Sequence, residues 1–476
     1  MRSPLPLLPL LALAACTVGP DYHGPSPASA PPAPEKFARA GEEASTTAPA
    51  AASWWTQLGD PVLDDLERRA LAGSPAIAIA QARLKQARAA LRLDRANGLP
   101  NVNAEAIYAH ANLPGIDLGS SNEGEQGGGG GDSQALNFYN LGFDASWEID
   151  LFGGQRRTVE ASRASLEAAQ ANVADAQVSL AAEVANAYVN MRDRQQRLDL
   201  AEQAAARQHE ALDLTRQREA RGTVSALEVE RQRSLAEQGD AALPPLRAER
   251  DGWLNALAIL TGQAPGALDS MLASPAAIPL PPATVPVGDP AALLQRRPDI
   301  RAAERQLAAA TAKIGVAQAA RFPRISFMGL IGIGGTKPED VVDLDNLAAI
   351  AMPRLSWNIL DFGRNSARIG QAEGARDEAE ARYRQAVLGA LRDAEDALAR
   401  YGASRQSVAS AARSSNAAER TLTLTRQRFE AGTASRIDLL EAERQSMSAR
   451  QSLAQATATM TANYIAIQKA LGLGWN

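Results

Sequence analysis

Residues 140–151 read NLGFDASWEIDL, and this stretch decides the fold. Apolar side chains alternate with polar or small ones throughout, with Leu141, Trp147 and Leu151 in one series and Asn140 and Asp150 in the other. Strict alternation over this length predicts a β-strand. It is also the pattern of a membrane-barrel strand, in which one face meets lipid and the other meets water.

The end of this strand occurs twice. SWEI at 146–149 returns as SWNI at 356–359, and LTRQR at 214–218 returns at 424–428, both 210 residues later. A match at a fixed offset over such a distance indicates a duplicated domain, since solenoid repeats are far shorter. We therefore expect an internal two-fold repeat.

Upstream of the strand the two copies match at a different offset. Pro75 pairs with Pro298 and Pro100 with Pro323, both 223 residues apart. The additional 13 residues must lie between 100 and 147, where a glycine run at 127–131 is typical of a surface loop. The predicted organisation is a first repeat at 61–270, a Pro-rich linker at 271–289 and a second repeat at 290–476.

Each repeat contains one predicted pair of strands. The alternation places them at about 101–110, 138–151, 323–333 and 349–361. An edge of a soluble sheet would show the same alternation, but strands of this length suit a tilted membrane span. Open edges are not tolerated in lipid, and a barrel needs about eight strands to close. At least two chains must combine, and three chains would supply twelve strands.

The rest of each repeat is predicted to be a coiled-coil hairpin, at about 154–260 and 364–472. Residues 154–221 contain no proline and no internal glycine, and apolar residues recur every seven positions. A helix of this length forms a rod on the order of 100 Å. Gly222 and Gly432 mark the turns at the tips, because glycine commonly ends a helix. Pro244 and Pro245 should break the return helix of the first repeat alone.

The N-terminus has the features of an export signal. Arg2 precedes a short apolar run that ends in LAAC, with Cys16 as the single cysteine. We interpret 1–15 as a signal peptide. LAAC resembles a lipoprotein cleavage site, which implies that Cys16 carries a lipid. Residues 16–60 are then expected to be a lipidated, extended segment, anchored at the outer membrane because Thr17 rather than aspartate follows the cysteine.

Composition argues against several classes of protein. The chain has 476 residues, of which 45% are apolar but only 4% aromatic, and a net charge of −5. This charge offers no basic surface for nucleic acid. His23, His110 and His209 lie far apart and indicate no metal site. No nucleophile–base arrangement stands out, and Asp361-Phe362-Gly363 lacks the other motifs of a kinase. We expect no enzymatic activity and no cofactor.

Several motifs together resemble one family. They are CTVGPDY at 16–22, WW at 54–55 with LGDP at 58–61, RRPDI at 296–300, FPRIS at 322–326 and LLEA at 439–442. With them, nearly the whole mature chain resembles the outer membrane factors of tripartite efflux systems, the TolC-like channels, and most closely their lipoprotein branch. The resemblance implies a mainly α-helical homotrimer whose shared 12-stranded β-barrel continues into a long coiled-coil α-helical barrel across the periplasm.

The resemblance also implies a gate at the periplasmic tips, built from rings of acidic side chains. On the family's pattern these are Asp438 and Glu441, with Glu228 at the matching place in the first hairpin. Like charges around a narrow axis repel one another and attract cations. These residues could equally be solvated faces of a coiled coil. The arginine that the family places two residues after the turn glycine is Ala434 here, which leaves Arg436 or Arg231 as candidates for a closing ion pair.

The implied function is export of small molecules, such as drugs or toxic compounds, through the outer membrane. The implied partners are a periplasmic adaptor (membrane fusion protein), an inner-membrane pump and outer-membrane lipid. Two alternatives remain: a duct for type I protein secretion, which would have the same fold, and a periplasmic adaptor lipoprotein. Adaptors carry one coiled-coil hairpin, whereas two hairpins and four long strands are predicted here.

Overall fold

The structure is a computed structural model, and it describes residues 17–26, 36–42, 44–45, 47, 49, 52–113 and 134–475. The predicted signal peptide at 1–15, the predicted lipid site at Cys16 and the glycine run at 127–131 lie outside the described residues.

Strands form two separate sheets among the described residues. A parallel pair joins β1 to β4, and an antiparallel four-stranded sheet has the order β2-β3-β5-β6. The strands are β1 (Ala44–Ser45), β2 (Asn101–Leu113), β3 (Gln134–Ile149), β4 (Val285–Pro286), β5 (Arg324–Gly335) and β6 (Leu347–Ser356). β1 lies in the segment predicted to be extended and β4 in the predicted linker, so the two segments meet through backbone pairing.

The remaining secondary structure is helical. The helices are α1 (Pro61–Gly73), α2 (Pro75–Ala96), α3 (Gly154–Ala220), α4 (Ala226–Ala241), α5 (Leu243–Leu260), α6 (Asp269–Leu272), α7 (Pro290–Arg296), α8 (Pro298–Ala319), α9 (Arg364–Glu430) and α10 (Arg436–Ala470), with 3-10 turns at Trp54–Leu58, Pro338–Val342 and Leu344–Asn346. No helix in the described part of the chain has the length and apolar character needed to cross a membrane.

The two repeats form equivalent elements. α2 and α8 each have 22 residues, and α3 and α9 each have 67. The indole Nε1 of Trp147 donates to the carbonyl oxygen of Gly98 at 3.0 Å, and that of Trp357 donates to Arg321 at 3.0 Å. These donors are 210 residues apart and these acceptors 223, so both sequence offsets also hold in space.

The return helices differ as predicted. In the first repeat the return path is divided into α4 and α5, because Pro244 and Pro245 stand in the first turn of α5, where proline is accepted. In the second repeat α10 runs unbroken for 35 residues.

Four predicted strand boundaries need correction. The strand predicted at 349–361 is β6 and ends at Ser356, because the following residues turn toward the next helix. There the Asp361 carboxylate accepts the amides of Gly363 and Asn365 at 3.0 and 2.7 Å and so begins α9. The strand predicted at 138–151 is β3 and ends two residues earlier, at Ile149. The strands predicted at 101–110 and 323–333 extend as β2 to Leu113 and as β5 to Gly335, since backbone pairing continues past the apolar pattern.

The described residues divide into two compact units, each built from both repeats. The first holds residues 1–24, 86–166 and 306–379, and it contains the four-stranded sheet. The second holds 25–85, 167–305 and 380–476, and it contains the larger core. Trp54 packs edge-on against Tyr464 in that core, with ring centroids 6.2 Å apart. The Tyr188 hydroxyl donates to Asp60 at 2.6 Å, and the same carboxylate caps α1.

Candidate functional site

The four-stranded sheet carries one continuous apolar face. Phe143 lies opposite Ala104 in β2 and opposite Ile331 in β5. The rings of Trp147 and Phe327 stack between β3 and β5 at 6.5 Å. Large apolar side chains on this sheet are exposed, as few soluble proteins would leave them: Val102, Tyr108, Phe138, Leu141, Phe143, Phe327, Met328, Ile331, Leu347, Ile350, Met352 and Leu355. The face is suited to contact with lipid.

The tip of the second hairpin is built from a glycine turn and a helix cap. Gly432 has a positive φ of 74°, and the amide of Thr433 donates to the carbonyl oxygen of Arg428 at 2.8 Å, as in a Schellman turn. Ser435 then begins α10. Its Oγ accepts the amide of Asp438 at 3.1 Å, while Asp438 Oδ2 accepts the amide of Ser435 at 2.8 Å. This is a reciprocal capping box.

Asp438 is therefore both exposed and ionised at neutral pH. The hydrogen bonds that the Ser435 amide and hydroxyl donate to it lower the pKa of its carboxyl below the usual value. Glu441 lies one turn further along α10, also exposed, and pairs with Arg444 through Oε2 and Nε at 2.9 Å. Both carboxylates line one groove between α9 and α10, together with Arg428 and Ala434.

The tip of the first hairpin has the same turn but a different acid. Gly222 has a φ of 70°, and Thr223 bonds Arg218 as Thr433 bonds Arg428. Glu228 occupies the position 210 residues before Asp438. Its carboxylate pairs with the exposed Arg231 at 3.4 Å, and the Ser225 side chain makes no capping bond.

The two arginines considered as closing partners are both occupied within the chain. The Arg436 guanidinium donates to Glu210 Oε1 from Nε at 2.9 Å and from Nη2 at 2.6 Å, joining α10 to α3. This pairing lowers the pKa of Glu210. Arg231 pairs with Glu228. In the single chain neither arginine reaches Asp438 or Glu441, so both of these acids are left to face what lies beyond the groove.

A buried arginine that the sequence did not single out holds the N-terminal segment. Arg157 in α3 is 3% exposed, although arginine is rarely buried unless it is paired. It donates to the carbonyl oxygens of Val18 and Gly19 at 3.1 and 3.0 Å, and to Asp21 at 2.7 Å. The Val18 amide in turn donates to Phe152 at 3.1 Å. Residues 18–21, just after Cys16, are thus fixed beside the end of β3.

Glycines make room for this segment. A Cβ on Gly153 would contact Thr17, and a Cβ on Gly315 would collide with the Arg157 side chain at 2.8 Å. The repeat itself contained a signal for this site. Position 367, which matches Arg157, is alanine, and position 92, which matches Gly315, is arginine. Among the described residues, no group of three His, Cys, Asp or Glu side chains could hold a metal ion.

Comparison with known proteins gives consistent matches over the whole chain. The family model described as outer membrane efflux protein matches residues 66–263 and 290–473. Nodulation protein T of Rhizobium leguminosarum bv. trifolii is 30% identical over 98% of this chain and 96% of its own length. The toluene efflux pump outer membrane protein TtgI of Pseudomonas putida is 31% identical over 99% and 98%. The solved structure of the outer-membrane channel OprN matches with a TM-score of 0.84 at 35% identity, over 97% of this chain and 100% of that one.

Proposed function

This chain belongs to the outer membrane efflux protein family and is a subunit of an outer-membrane efflux channel, and on that premise we propose that three copies of it close one sheet through the outer membrane. The support is the four-stranded sheet with its exposed apolar face. In the described chain β2 and β6 are its edges. Unpaired backbone groups at an edge cost several kcal/mol each in lipid. Three copies give a closed ring of twelve strands, which is wide enough for an interior path.

We propose that the channel works with a periplasmic adaptor and an inner-membrane pump, and that it exports small molecules. The support is the kind of relative that matches along the full length, among them a toluene efflux pump protein. The pump selects the compound and the channel conducts it, so the role needs no catalytic group in this chain. Protein secretion and an adaptor role have no observation in their favour.

We propose that Cys16 carries the lipid anchor. The support is the fixed course of residues 18–21, which Arg157 holds beside the strand that would enter the membrane. A lipid on the preceding Cys16 would then lie near the same end of the sheet. Labelling with a radioactive fatty acid should mark the wild-type protein and leave Cys16→Ser unmarked. Label retained by that variant would disprove the anchor.

We propose that Asp438 and Glu441 form the gate, with Glu228 in a lesser role. Three copies bring these carboxylates around one axis, where like charges repel and cations are attracted. The support is that Asp438 is held ionised and that both acids line an open groove rather than a closed ion-pair network. Glu228 is only weakly held, at 3.4 Å from Arg231.

The apolar face with its two open edges is the observation that carries the proposal, and assembly state tests it. Native mass spectrometry of the detergent-purified protein should give a trimer, and removal of detergent should cause aggregation. A monodisperse, detergent-free monomer would overturn the proposal.

A further inference from the structure

The internal repeat defines how one copy of the chain contacts the next. Inside the chain the first repeat meets the second where β3 pairs with β5. In a closed ring of three copies, the second repeat of each copy must meet the first repeat of its neighbour. Residues of β6 correspond to those of β3 at an offset of 210, and residues of β2 to those of β5 at 223. The interface within the chain is therefore a template for the interface between copies.

This template gives a specific register. Ser146 lies opposite Met328 within the chain, and Trp147 lies opposite Phe327. Transferred by the two offsets, Ser356 lies opposite Glu105 of the neighbouring copy, and Trp357 lies opposite Ala104. The transfer keeps the faces consistent, because Val102, Ala104 and Tyr108 lie on the apolar face of β2, as their matches Ile325, Phe327 and Ile331 do on β5.

The template also provides a partner for the most exposed aromatic residue. At the first interface Phe152 stacks on Phe322, with ring centroids 4.6 Å apart and an interplanar angle of 17°. The matching residues are Phe362 and Leu99. In the single chain Phe362 is 91% exposed and Leu99 is 65% exposed. Phe362 also has a φ of +51°, which is uncommon for a bulky residue.

We propose that β6 of one copy pairs with β2 of the next in the register of β3 with β5, and that Phe362 packs on Leu99 of the neighbouring copy. This rests on the proposed trimer and adds the residues that join its subunits. The neighbour covers an aromatic ring of the kind that dominates interface energies. The partner is thus a second copy of this chain, bound edge to edge.

Paired cysteines test the register. Glu105→Cys with Ser356→Cys places two thiols at directly opposed positions, whose Cβ atoms should be about 5 Å apart. The control couples Ser356→Cys with Asn103→Cys, two residues away on the same face of β2. After oxidation with copper phenanthroline, a non-reducing gel should show covalent dimers and trimers for the first pair and a several-fold lower yield for the control. Cys16 is the only native cysteine, so unsubstituted protein measures the background.

The outcomes separate this inference from the trimer itself. If native mass spectrometry gives a trimer but the control pair links better, or neither pair links, the register is wrong while the proposed function stands. A monomer in that measurement would overturn the proposed function instead.

The aromatic contact has its own test. Phe362→Ala should lower the temperature at which the trimer dissociates in SDS, because only the neighbour covers the ring. Leu360→Ala, at a position 84% exposed, is the control, since its match Asp150 bonds Arg156 within its own repeat and makes no contact of this kind. Equal dissociation temperatures for the two variants would overturn the contact.

Discussion

The two repeats share one framework but differ at three matched places. Glu67 in α1 corresponds to Pro290, Arg157 in α3 corresponds to Ala367, and Glu228 at the first tip corresponds to Asp438 at the second. The first repeat buries Glu67 and Arg157, whereas the second carries the capped acid at its tip. The comparison teaches that duplication supplied the strands and helices, and that later differences assigned anchoring to one copy and gating to the other.

The largest expected effect concerns Glu67, which is 0% exposed. Burial, and then the negative charge of Asp64, raise the pKa of its carboxyl well above the usual value. The folded protein therefore keeps a proton that the unfolded chain loses. The stability that this proton contributes is complete below about pH 4.3, the ordinary pKa of glutamate, and is lost as pH rises to the folded pKa, by about 1.4 kcal/mol per pH unit.

Glu67→Gln should remove this dependence, because glutamine does not titrate. Urea unfolding of detergent-solubilised protein between pH 4 and pH 8 should show the wild type losing stability relative to the variant as pH rises. Glu160→Gln, an exposed acid, is the control and should follow the wild type. Parallel curves for wild type and Glu67→Gln would contradict the assignment.

The second effect concerns the N-terminal segment. Arg157→Ala removes three hydrogen bonds to residues 18–21, and a bond to a charged group is worth about 2 kcal/mol. Hydrogen exchange at the Val18 amide should therefore be faster by about 30-fold, while exchange in α9, whose matched residue is Ala367, stays the same. Arg156→Ala, which removes an exposed arginine, is the matched control. Unchanged exchange at Val18 would show that Arg157 does not hold the segment.

The smallest effect separates the two tips. Asp438→Ala breaks the capping box and should weaken the start of α10 by about 1 kcal/mol, seen as faster exchange of the Ser435 amide. Glu228→Ala should change the start of α4 by much less, since an exposed ion pair contributes little. The Asp438 pKa is lowered, so its contribution is present above about pH 3.9 and is lost as pH falls further. Equal effects at the two tips would contradict the distinction.

Much of the fold follows from local patterns in the sequence. The alternation at 140–151, the long proline-free stretch after residue 154 and the Pro244-Pro245 pair predicted β3, α3 and the break between α4 and α5. The end of β6 could not be predicted, because Asp361 leaves the strand pattern only through its bonds to the amides that begin α9. Heptad positions such as Val159 and Leu166 are only half-buried in one chain, whereas Met191 and Leu198 are buried.

The candidate site was predicted less completely. The tip acids could be named because the family resemblance fixed their positions, and the cap on Asp438 follows from serine three residues before an acid. The partners of Arg436 and Arg231 could not be named, since an ion pair depends on which faces of the helices meet. Arg157 was missed for the same reason: its acceptors are backbone atoms more than 130 residues away.

Single-channel recording in planar lipid bilayers tests the central claim most directly. The account predicts discrete conductance steps for the wild type, and a larger conductance or altered block by cations for Asp438→Ala with Glu441→Ala. The contradicting result is a purified trimer that gives no conductance steps, or steps and cation block that are the same in both proteins.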